Sequence, residues 1–504
     1  MNDIARIEPL DEFDRRLLSH VRPPDWRNPA PKPKYDLVVI GGGTAGLVSA
    51  TGAAGLGARV ALVERALLGG DCLNTGCVPS KALLRSARAV HEAREATAVG
   101  VCTTTEVDFG AVMARVRARR ADIAHHDSAA RLTSSGVDVF LGQASFCAPD
   151  AVMVDGRTLH FRRAVIATGG RPTVPEFLAG RHDPPCESGA RAPFLTSETI
   201  FSLTEQPREL IVLGAGPIGC EMAQAFALLG TRVTLIDGAP RILPNEDADA
   251  SAILARRLDV EGIRIVTGEE IKEVTTTPSG RIAINLARRD ATGDVLLVAI
   301  GRTPNVDGLN LAAAGVAHGP QGVQVTDRLQ TTNRRVYAAG DVCSRFKFTH
   351  AADAMARLVI QNALFFCRRR ASALVIPWCT YTFPEVAHVG VTADEARGHA
   401  TTITVTLGDV DRAVVDEETD GFLRVHHRNG TVVAATMVAP HAGEVIGQIA
   451  SVMRRGARLD ELSSDIFPYP TVAEALRKAG DAYRRTRVTP GVRSALGRYF
   501  RFFR

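Results

Sequence analysis

The same local pattern occurs twice in this chain and limits what the chain can fold into. Each copy has a strand-like run rich in Val, Ile and Leu, a glycine-rich turn, a helical stretch and a second strand that ends in an acid. The first copy contains Gly41, Gly43, Gly46 and the acid Glu64, and the second contains Gly214, Gly216, Gly219 and the acid Asp237. The third glycine precedes the acid by 18 residues in both copies. Two equivalent βαβ units are therefore expected.

Each unit has the features of a dinucleotide site. Glycines let the backbone approach a pyrophosphate, the helix start meets its charge, and the acid accepts hydrogen bonds from ribose hydroxyls. A tight turn without a ligand is the alternative for either copy alone. At the second acid, Asp237 favours NADH because its carboxylate repels a 2′-phosphate, whereas Arg241 leaves NADPH open. Residues 37–58 are uncharged and long enough to cross a bilayer, but their seven glycines favour a turn after a strand.

A cysteine pair follows the first unit directly. Of the nine cysteines, only Cys72 and Cys77 lie close together, in a glycine-rich segment. On an ideal helix, residues five apart have Cα atoms about 8 to 9 Å apart, which exceeds the disulfide limit of about 7 Å. A disulfide therefore requires a distorted segment, for which Gly76 and Pro79 are suitable residues. Lys81 is a cation that would lower a thiol pKa. Two buried free cysteines that never bond are the alternative reading.

The composition is that of an ordinary globular protein with several domains: 504 residues, 45% hydrophobic and 23% charged. The formal charge of +5 favours anionic small ligands weakly and gives no reason to expect nucleic acid. The first residues lack a basic region followed by an apolar core, and the cysteine spacing suits neither a disulfide framework nor a metal site. We therefore expect a cytoplasmic protein without a bound metal.

Further motifs follow in a recognisable order: Gly142-Gln-Ala144, Val165-Ile-Ala-Thr168-Gly169-Gly170, Ala299-Ile-Gly301-Arg302-Thr-Pro-Asn305 and Tyr337-Ala-Ala-Gly340-Asp341. With the two glycine turns and the cysteine pair, they make residues 35–486 resemble the FAD-containing pyridine nucleotide-disulfide oxidoreductases. That is the family of glutathione reductase, lipoamide dehydrogenase and mercuric reductase. The resemblance implies an α/β fold with two Rossmann-like dinucleotide-binding domains, a C-terminal α+β dimerisation domain and a homodimer.

The resemblance also divides the chain. The expected parts are an N-terminal arm or linker (1–34), the FAD-binding domain with the redox disulfide (35–175), the NAD(P)-binding domain (190–316), a second FAD-binding or central part (317–370), the dimerisation domain (371–486) and a basic aromatic tail (487–504). Residues 171–195 contain five prolines and are expected to form a linker. The tail is expected to be disordered or locally packed, with weak contact to an anionic membrane surface as the alternative.

Roles for individual residues are carried over from the family. FAD would be bound by Gly41, Gly43, Gly46, Glu64, Lys81, Thr168, Gly169, Arg302 and Asp341. Gly70, Ala144 and Gly301 are further expected cofactor-binding residues. NADH or NADPH would be bound by Gly214, Gly216, Gly219 and Asp237. Cys77 resembles the flavin-proximal thiol and Cys72 the thiol that attacks substrate, while Lys81 and Glu221 resemble the ion pair beside the flavin.

The C-terminal motif departs from the disulfide-reducing relatives. Where they have His-Pro-Thr-x-x-Glu, this chain has Tyr469-Pro-Thr-Val-Ala-Glu474, so that Tyr469 stands in the place of the histidine. A tyrosine with a pKa near 10 is a poor base at neutral pH, although it can donate a hydrogen bond or approach a metal. Tyr469 and Glu474 are nonetheless the expected catalytic residues of this domain. Low-molecular-weight disulfides and lipoamide become less favoured substrates.

Tyrosine at this point resembles mercuric reductase, as do Phe348-Thr-His350-Ala-Ala-Asp353 and Pro377-Trp-Cys379-Thr-Tyr-Thr-Phe-Pro384. However, no cysteine follows Cys379 to hand over a soft metal, so mercury is not expected to be the natural substrate. The expected acceptor is an oxidised thiol, a reactive sulfur or chlorine species, or a soft metal ion. A dihydrolipoamide dehydrogenase and a non-catalytic nucleotide-binding redox sensor are the alternatives.

Overall fold

The structure is a computed structural model that describes residues 7–178, 194–288, 290–365 and 367–504. Up to residue 178, the elements are α1 (Glu12–Val21), β1 (Tyr35–Ile40), α2 (Thr44–Gly55), β2 (Val60–Glu64), α3 (Gly70–Asn74), α4 (Cys77–Glu95), α5 (Phe109–Ile123), α6 (Ala129–Ser134), β3 (Val137–Leu141), β4 (Ala144–Ala148), β5 (Ala151–Val154), β6 (Arg157–Ile166) and β7 (Gly170–Pro172).

From residue 194 to residue 365, the elements are β8 (Phe194–Leu195), β9 (Glu209–Leu213), α7 (Pro217–Leu228), β10 (Arg232–Asp237), α8 (Ala248–Val260), β11 (Arg264–Thr267), β12 (Ile271–Thr276), β13 (Ile282–Leu286), β14 (Asp290–Gly293), β15 (Val295–Val298), β16 (Arg302–Pro304), β17 (His318–Gly319), β18 (Gly322–Val323), β19 (Val336–Ala338) and α9 (Thr349–Leu364). They continue with β20 (Pro377–Thr380), β21 (Glu385–Gly390), α10 (Ala393–Ala396), β22 (Thr401–Thr406), α11 (Asp411–Val415), β23 (Phe422–Arg428), β24 (Thr431–Ala439), α12 (Ala442–Arg455), α13 (Glu474–Thr486) and α14 (Pro490–Phe502).

The first glycine turn connects a parallel sheet to a helix. Strands β3, β2, β1, β6 and β19 pair in that order and in parallel, and β5 and β4 extend the sheet beyond β6 in antiparallel pairing. The strands of the parallel part are buried on both faces, as expected when helices cover a parallel sheet. This confirms the strand, turn and helix expected at residues 37–58. Within the described residues, no helix is long and apolar enough to cross a membrane.

The second glycine turn lies in an independent parallel sheet with the strand order β11, β10, β9, β15, β8. Helix α7 follows the turn and packs on β9 and β10. The bounds of β9 and β10 coincide with the strands expected from the sequence. The two Rossmann-like units predicted from the repeated pattern are therefore confirmed.

Contacts between Cα atoms divide the chain into two compact units, 1–238 with 262–374 and 239–261 with 375–504. The second unit contains the antiparallel sheet β20, β21, β24, β23, β22, with α12 and α13 packed on it around a buried apolar core. The expected α+β character of the C-terminal part is confirmed. Residues 239–261, which include α8, belong to this unit by their contacts, although they lie between β10 and β11 in the sequence.

From residue 7 onward, the N-terminal arm is folded and packed. Its prolines begin to cluster at Pro23, which leaves the preceding residues free to form α1. Leu17 and Val21 of α1 are fully buried, and the helix lies against α5. Beyond it, the Trp26 indole donates to the carbonyl of Val139 on β3, at 3.3 Å. The reading of 1–34 as a linker is therefore wrong for this part of the arm.

The expectation of a disordered or locally packed tail is also wrong. Helix α14 is regular, Thr489 caps it by accepting from the Val492 amide, and none of its residues is buried. Gly491 and Gly497 do not prevent the helix. In the proposed linker 171–195, short strands occur at both ends, and residues 179–193, with Cys186, lie outside the described residues.

Candidate active site

The first glycine turn forms a close contact of backbone with backbone. A Cβ atom on Gly46 would overlap the carbonyl oxygen of Gly41, so only glycine fits at Gly46. Glu64, buried at the end of β2, accepts from the amide of Gly42 in the turn and from the amide of Ala66, each at 2.6 Å. Burial raises the pKa of Glu64. Hydrogen bonds within the chain thus hold the turn and the acid together.

The second turn repeats this geometry. A Cβ atom on Gly219 would overlap the carbonyl oxygen of Gly214, and the Asp237 carboxylate accepts from the Ala215 amide at 2.6 Å. Gly43 and Gly216 are the N-cap residues of α2 and α7, the helices after the two turns, and neither helix has a side-chain cap. Uncapped amides at a helix start are donors for phosphate oxygens. Both turns therefore fit a dinucleotide pyrophosphate, and Glu64 and Asp237 fit the ribose hydroxyls.

A polar network lies at the same end of the first sheet as the glycine turn, beyond the carboxyl ends of β6 and β19. The Thr168 hydroxyl donates to the backbone carbonyl of Asn305 at 2.7 Å, and the backbone amide of Asn305 donates to the Gly169 carbonyl. Arg302 forms ion pairs with Asp71 (2.8 Å) and Asp341 (3.3 Å). Burial raises the pKa of Asp341, although the Arg302 cation opposes this. The network joins four segments far apart in the sequence, as a site for one extended cofactor requires.

The three remaining residues expected to bind a cofactor lie in the first compact unit. Gly70 begins α3, Ala144 begins β4 and is buried, and Gly301 directly precedes β16 with a positive φ of 126°.

The two cysteines lie on either side of a break between two helices. Cys72 lies in α3, and Cys77 is the first residue of α4. Gly76 between them has φ −122° and ψ −108°, outside the helical range. The distortion expected at Gly76 is confirmed. Pro79 is not part of it, since Pro79 lies in the first turn of α4, where a missing amide hydrogen breaks no hydrogen bond.

Both cysteines are free thiols in the structure, and their surroundings shift the two thiol pKa values in opposite directions. A hydrogen bond from the Cys72 thiol lowers the pKa of Cys77 to about 6, and Thr349 and the Lys81 cation also lower it. The Thr349 hydroxyl lies 3.3 Å from the Cys77 sulfur. The same bond to Cys77 raises the pKa of Cys72, together with burial and the Asp127 carboxylate. The negative charge of the pair therefore resides on Cys77.

Lys81 follows Cys77 by one helical turn and joins the two nucleotide units. Its Nζ atom lies 2.8 Å from Oε2 of Glu221, which is buried on α7 of the second nucleotide-binding unit. The ion pair expected from the sequence is therefore formed within one chain.

Tyr469 and Glu474 are not brought into contact with each other by a hydrogen bond. The exposed Tyr469 hydroxyl donates to Asp411 at 2.9 Å, and this bond raises the pKa of Tyr469. The buried Glu474 accepts from Arg477 at 2.6 Å. Tyr469 and Glu474 were expected to act together in catalysis, but in the C-terminal unit each binds a different partner.

Sequence reasoning missed several residues of the site. The sequence motif around Thr349 indicated a family likeness but not the contact of Thr349 with Cys77. Its position as the first residue of α9 is the signal that could have pointed to it. Asp71 and Asn305 bind Arg302 and Thr168 across more than a hundred residues, and no local spacing indicates such contacts. In the described part of the chain, no group of three His, Cys, Asp or Glu residues is placed to hold a metal ion.

Alkylation of the reduced protein should report the ionisation of Cys77. Because the lowered pKa of about 6 makes Cys77 a thiolate above that pH, its rate of reaction with iodoacetamide should be constant above about pH 7. Below pH 6 the rate should fall about tenfold per pH unit. Peptide mass spectrometry would assign the label, with exposed Cys147 as the internal control. Preferential labelling of Cys72 at neutral pH would contradict this charge distribution.

Comparisons with known proteins agree on the family over most of the chain. A model of the pyridine nucleotide-disulphide oxidoreductases matches residues 35–356, and a model of the dimerisation domain of the same proteins matches residues 376–480. The mercuric reductase of Lysinibacillus sphaericus is 33% identical over 455 residues, which cover 88% of this chain and 82% of the relative.

Two further relatives differ in their named activity. The dihydrolipoyl dehydrogenase of Bacillus subtilis (strain 168) is 31% identical over 466 residues, covering 88% of this chain and 97% of the relative. A solved Cu(II) complex of the HOCl-induced flavoprotein disulfide reductase RclA from Escherichia coli has a TM-score of 0.77 and 27% identity. That match covers 90% of this chain and 100% of the solved one.

Proposed function

Because the chain belongs to the class I pyridine nucleotide-disulphide oxidoreductase family, we propose that it reduces a Cys72–Cys77 disulfide with NAD(P)H and passes the electrons to a small acceptor. The chain is a flavoprotein oxidoreductase that uses FAD and a nicotinamide nucleotide. FAD, when bound, accepts two electrons from the nicotinamide and delivers them to the disulfide. The match to the dimerisation domain supports a homodimer.

One observation carries the proposal: the cysteines flank a helix break and carry different charge. In the reduced pair, Cys77 is the thiolate and Cys72 the thiol. With a disulfide acceptor, the proton of Cys72 passes to Cys77 while the Cys72 sulfur bonds to one acceptor sulfur and releases the other as a thiolate. Cys77 then returns its proton to that leaving group and attacks Cys72. The second acceptor sulfur leaves as a thiolate, and the Cys72–Cys77 disulfide forms again.

The residues around the pair have supporting roles in this proposal. Lys81, fixed by Glu221, places a positive charge one turn from Cys77 and favours its thiolate. Thr349 stabilises the same sulfur. Tyr469 and Glu474 remain proposed acceptor-side residues of the dimerisation domain. The expected domain limits and the binding roles of the glycines, Thr168, Arg302 and Asp341 also remain proposals, supported by the two turns and the polar network.

Three acceptor classes fit the thiol chemistry and the relatives. RclA is described as HOCl-induced and as a disulfide reductase, and it has been solved with Cu(II). Other relatives are mercuric reductases. Within these classes, low-molecular-weight disulfides rank with lipoamide behind reactive oxidants and soft metal ions, because Tyr469 is a poor base for a leaving thiol.

An acceptor screen with the FAD-loaded protein tests this proposal. We expect faster turnover with a chlorine oxidant, Cu(II) or Hg(II) than with glutathione disulfide, and a kcat/KM about tenfold higher for NADH than for NADPH, since Asp237 would repel a 2′-phosphate. Faster oxidation of dihydrolipoamide by NAD would indicate a dihydrolipoyl dehydrogenase. Reduction of the cysteines without turnover on any acceptor would indicate a redox sensor.

The finer features of location and partners also remain proposals. We place the protein in the reducing cytoplasm because its thiol pair must cycle. Weak contact of α14 with an anionic lipid surface is supported by the five arginines and the absence of acids in 487–504, with Tyr499, Phe500 and Phe503 exposed. Equal co-pelleting of the full chain and a truncation after residue 489 with anionic liposomes would exclude that contact.

A further inference from the structure

The cysteine pair works only if the chain between Cys72 and Cys77 stays out of helix. In a continuous helix, the Asn74 carbonyl would accept from the amide four residues later, and the two Cα atoms would be about 8 to 9 Å apart. In the structure, the last bond of α3 runs from the Thr75 amide to Asp71, at 2.9 Å. What binds the Asn74 carbonyl therefore decides whether the two sulfurs can meet.

Arg120 of α5 takes that carbonyl. Its Nη1 atom donates to the Asn74 carbonyl oxygen at 2.9 Å, midway between the two cysteines in the sequence. The Asn74 side chain donates in turn to the carbonyls of Leu68 (3.0 Å) and Gly70 (2.8 Å), which precede Cys72. Both ends of α3 are thus fixed through Asn74, and Arg120 occupies the acceptor that a continuing helix would use.

Arg120 is itself held by the N-terminal arm. Its side chain is 7% exposed, and a guanidinium at such a site needs a counter-ion. Asp14 of α1, which is fully buried, supplies it at 2.7 Å from Nη2. The guanidinium therefore bridges the arm and the cysteine segment with two different nitrogens.

A neighbouring ion pair provides a natural comparison. Arg117, one turn earlier on α5, binds Asp11 at 2.6 Å, and its side chain is 6% exposed. This pair also joins the arm to α5, but Arg117 donates to Asp11 and not to a carbonyl of the cysteine segment. Variants of the two pairs can therefore distinguish loss of attachment of the arm from an effect on the thiols.

We propose that the Asp14/Arg120 ion pair, and with it helix α1 of the N-terminal arm, positions the Cys72–Cys77 segment for disulfide formation. This rests on the proposed function, because the segment must form and open a disulfide in each cycle. Asp14 and Arg120 are positioning residues that act through Asn74. Without the pair, the Asn74 carbonyl loses its donor, the segment gains freedom, and the closed disulfide becomes harder to form.

The test is an equilibrium with glutathione. The full-length, FAD-loaded protein is equilibrated in buffers of reduced and oxidised glutathione, in which the protein disulfide and two glutathione thiols exchange for the dithiol and glutathione disulfide. The disulfide fraction is measured by alkylation and mass spectrometry of the Cys72–Cys77 peptide. Asp14→Asn and Arg120→Lys should each shift the equilibrium at least about fivefold toward the dithiol. Lysine keeps the charge but cannot reach both partners.

Asp11→Asn is the matched control, since asparagine still caps α1 and the ion pair lost is the one with Arg117, while the hydrogen bonds of Arg120 to Asp14 and to the Asn74 carbonyl keep their donors and acceptors. It should leave the equilibrium within about twofold of wild type. An equal shift in all three variants, or none in Asp14→Asn and Arg120→Lys, would overturn the positioning role. If Asp14→Asn fails to fold, Arg120→Lys alone decides. A wild-type protein that never forms the disulfide would contradict the proposed function and remove the basis of the positioning role as well.

Discussion

Replacing Cys72 with serine should abolish acceptor turnover, with a loss on the order of 10³-fold or more, because a hydroxyl cannot attack a disulfide or reform one. The Cys72 side chain is half-buried in the middle of α3, and serine differs from cysteine only in replacing the sulfur with oxygen. The fold and the FAD content should therefore be retained. The loss would be measured as acceptor-dependent oxidation of NADH under anaerobic conditions.

A thiol count gives a second readout for this variant. Oxidised wild-type protein should gain two titratable thiols in denaturant after reduction by NADH, and Cys72→Ser should gain none. Cys147→Ser is the matched control, because Cys147 is an exposed thiol outside the site and its loss should leave both readouts unchanged. Full activity in Cys72→Ser would disprove the proposed route of the electrons.

Alanine at the third glycine of each turn should separate the two cofactors. In both turns the new Cβ would overlap the carbonyl oxygen of the first glycine, and the backbone that must approach the pyrophosphate would have to move. We expect a cost of about 3 kcal/mol, or on the order of a hundredfold in affinity. Gly46→Ala should yield protein depleted of FAD. Gly219→Ala should retain FAD but lose affinity for NADH.

Flavin absorbance per chain and the NADH concentration at half-maximal reduction rate measure these two effects. Gly55→Ala is the control, since an added Cβ at the end of α2 meets no atom within 4 Å and Gly55 has no positive φ. It should match wild type in both measurements. Loss of FAD in Gly219→Ala, with NADH affinity kept in Gly46→Ala, would reverse the assignment of the two turns.

Local patterns were enough to predict the two nucleotide units. The bounds of β1, β9 and β10 follow from runs of β-branched residues, and the contacts of Glu64 and Asp237 with their turns follow from the spacing of glycines and acids. Such contacts are made within one supersecondary unit, so neighbouring residues determine them. The break at Gly76 was predictable for the same reason.

Contacts across long sequence distances were not predictable in this way. Thr349 lies 272 residues from Cys77, and the Tyr469 hydroxyl binds Asp411 across 58 residues. The prolines that follow α1 led to the prediction of a linker in place of this helix. The proposed positioning role of α1 depends on Arg120, which lies in no recognisable motif. These features arise from tertiary packing, in which the partner of a side chain is chosen by the fold.

The contact between Lys81 and Glu221 has a thermodynamic consequence. It is a bridge between α4, which begins with Cys77, and α7, which begins at the second glycine turn. A nucleotide that displaces α7 would alter the distance between these two charges and, through Lys81, the acidity of the Cys77 thiol. Linkage is reciprocal, so that the protonation state of the thiol must change the affinity for that nucleotide by the same factor. Acidity at the sulfur and occupancy of the distant turn would then be one coupled equilibrium.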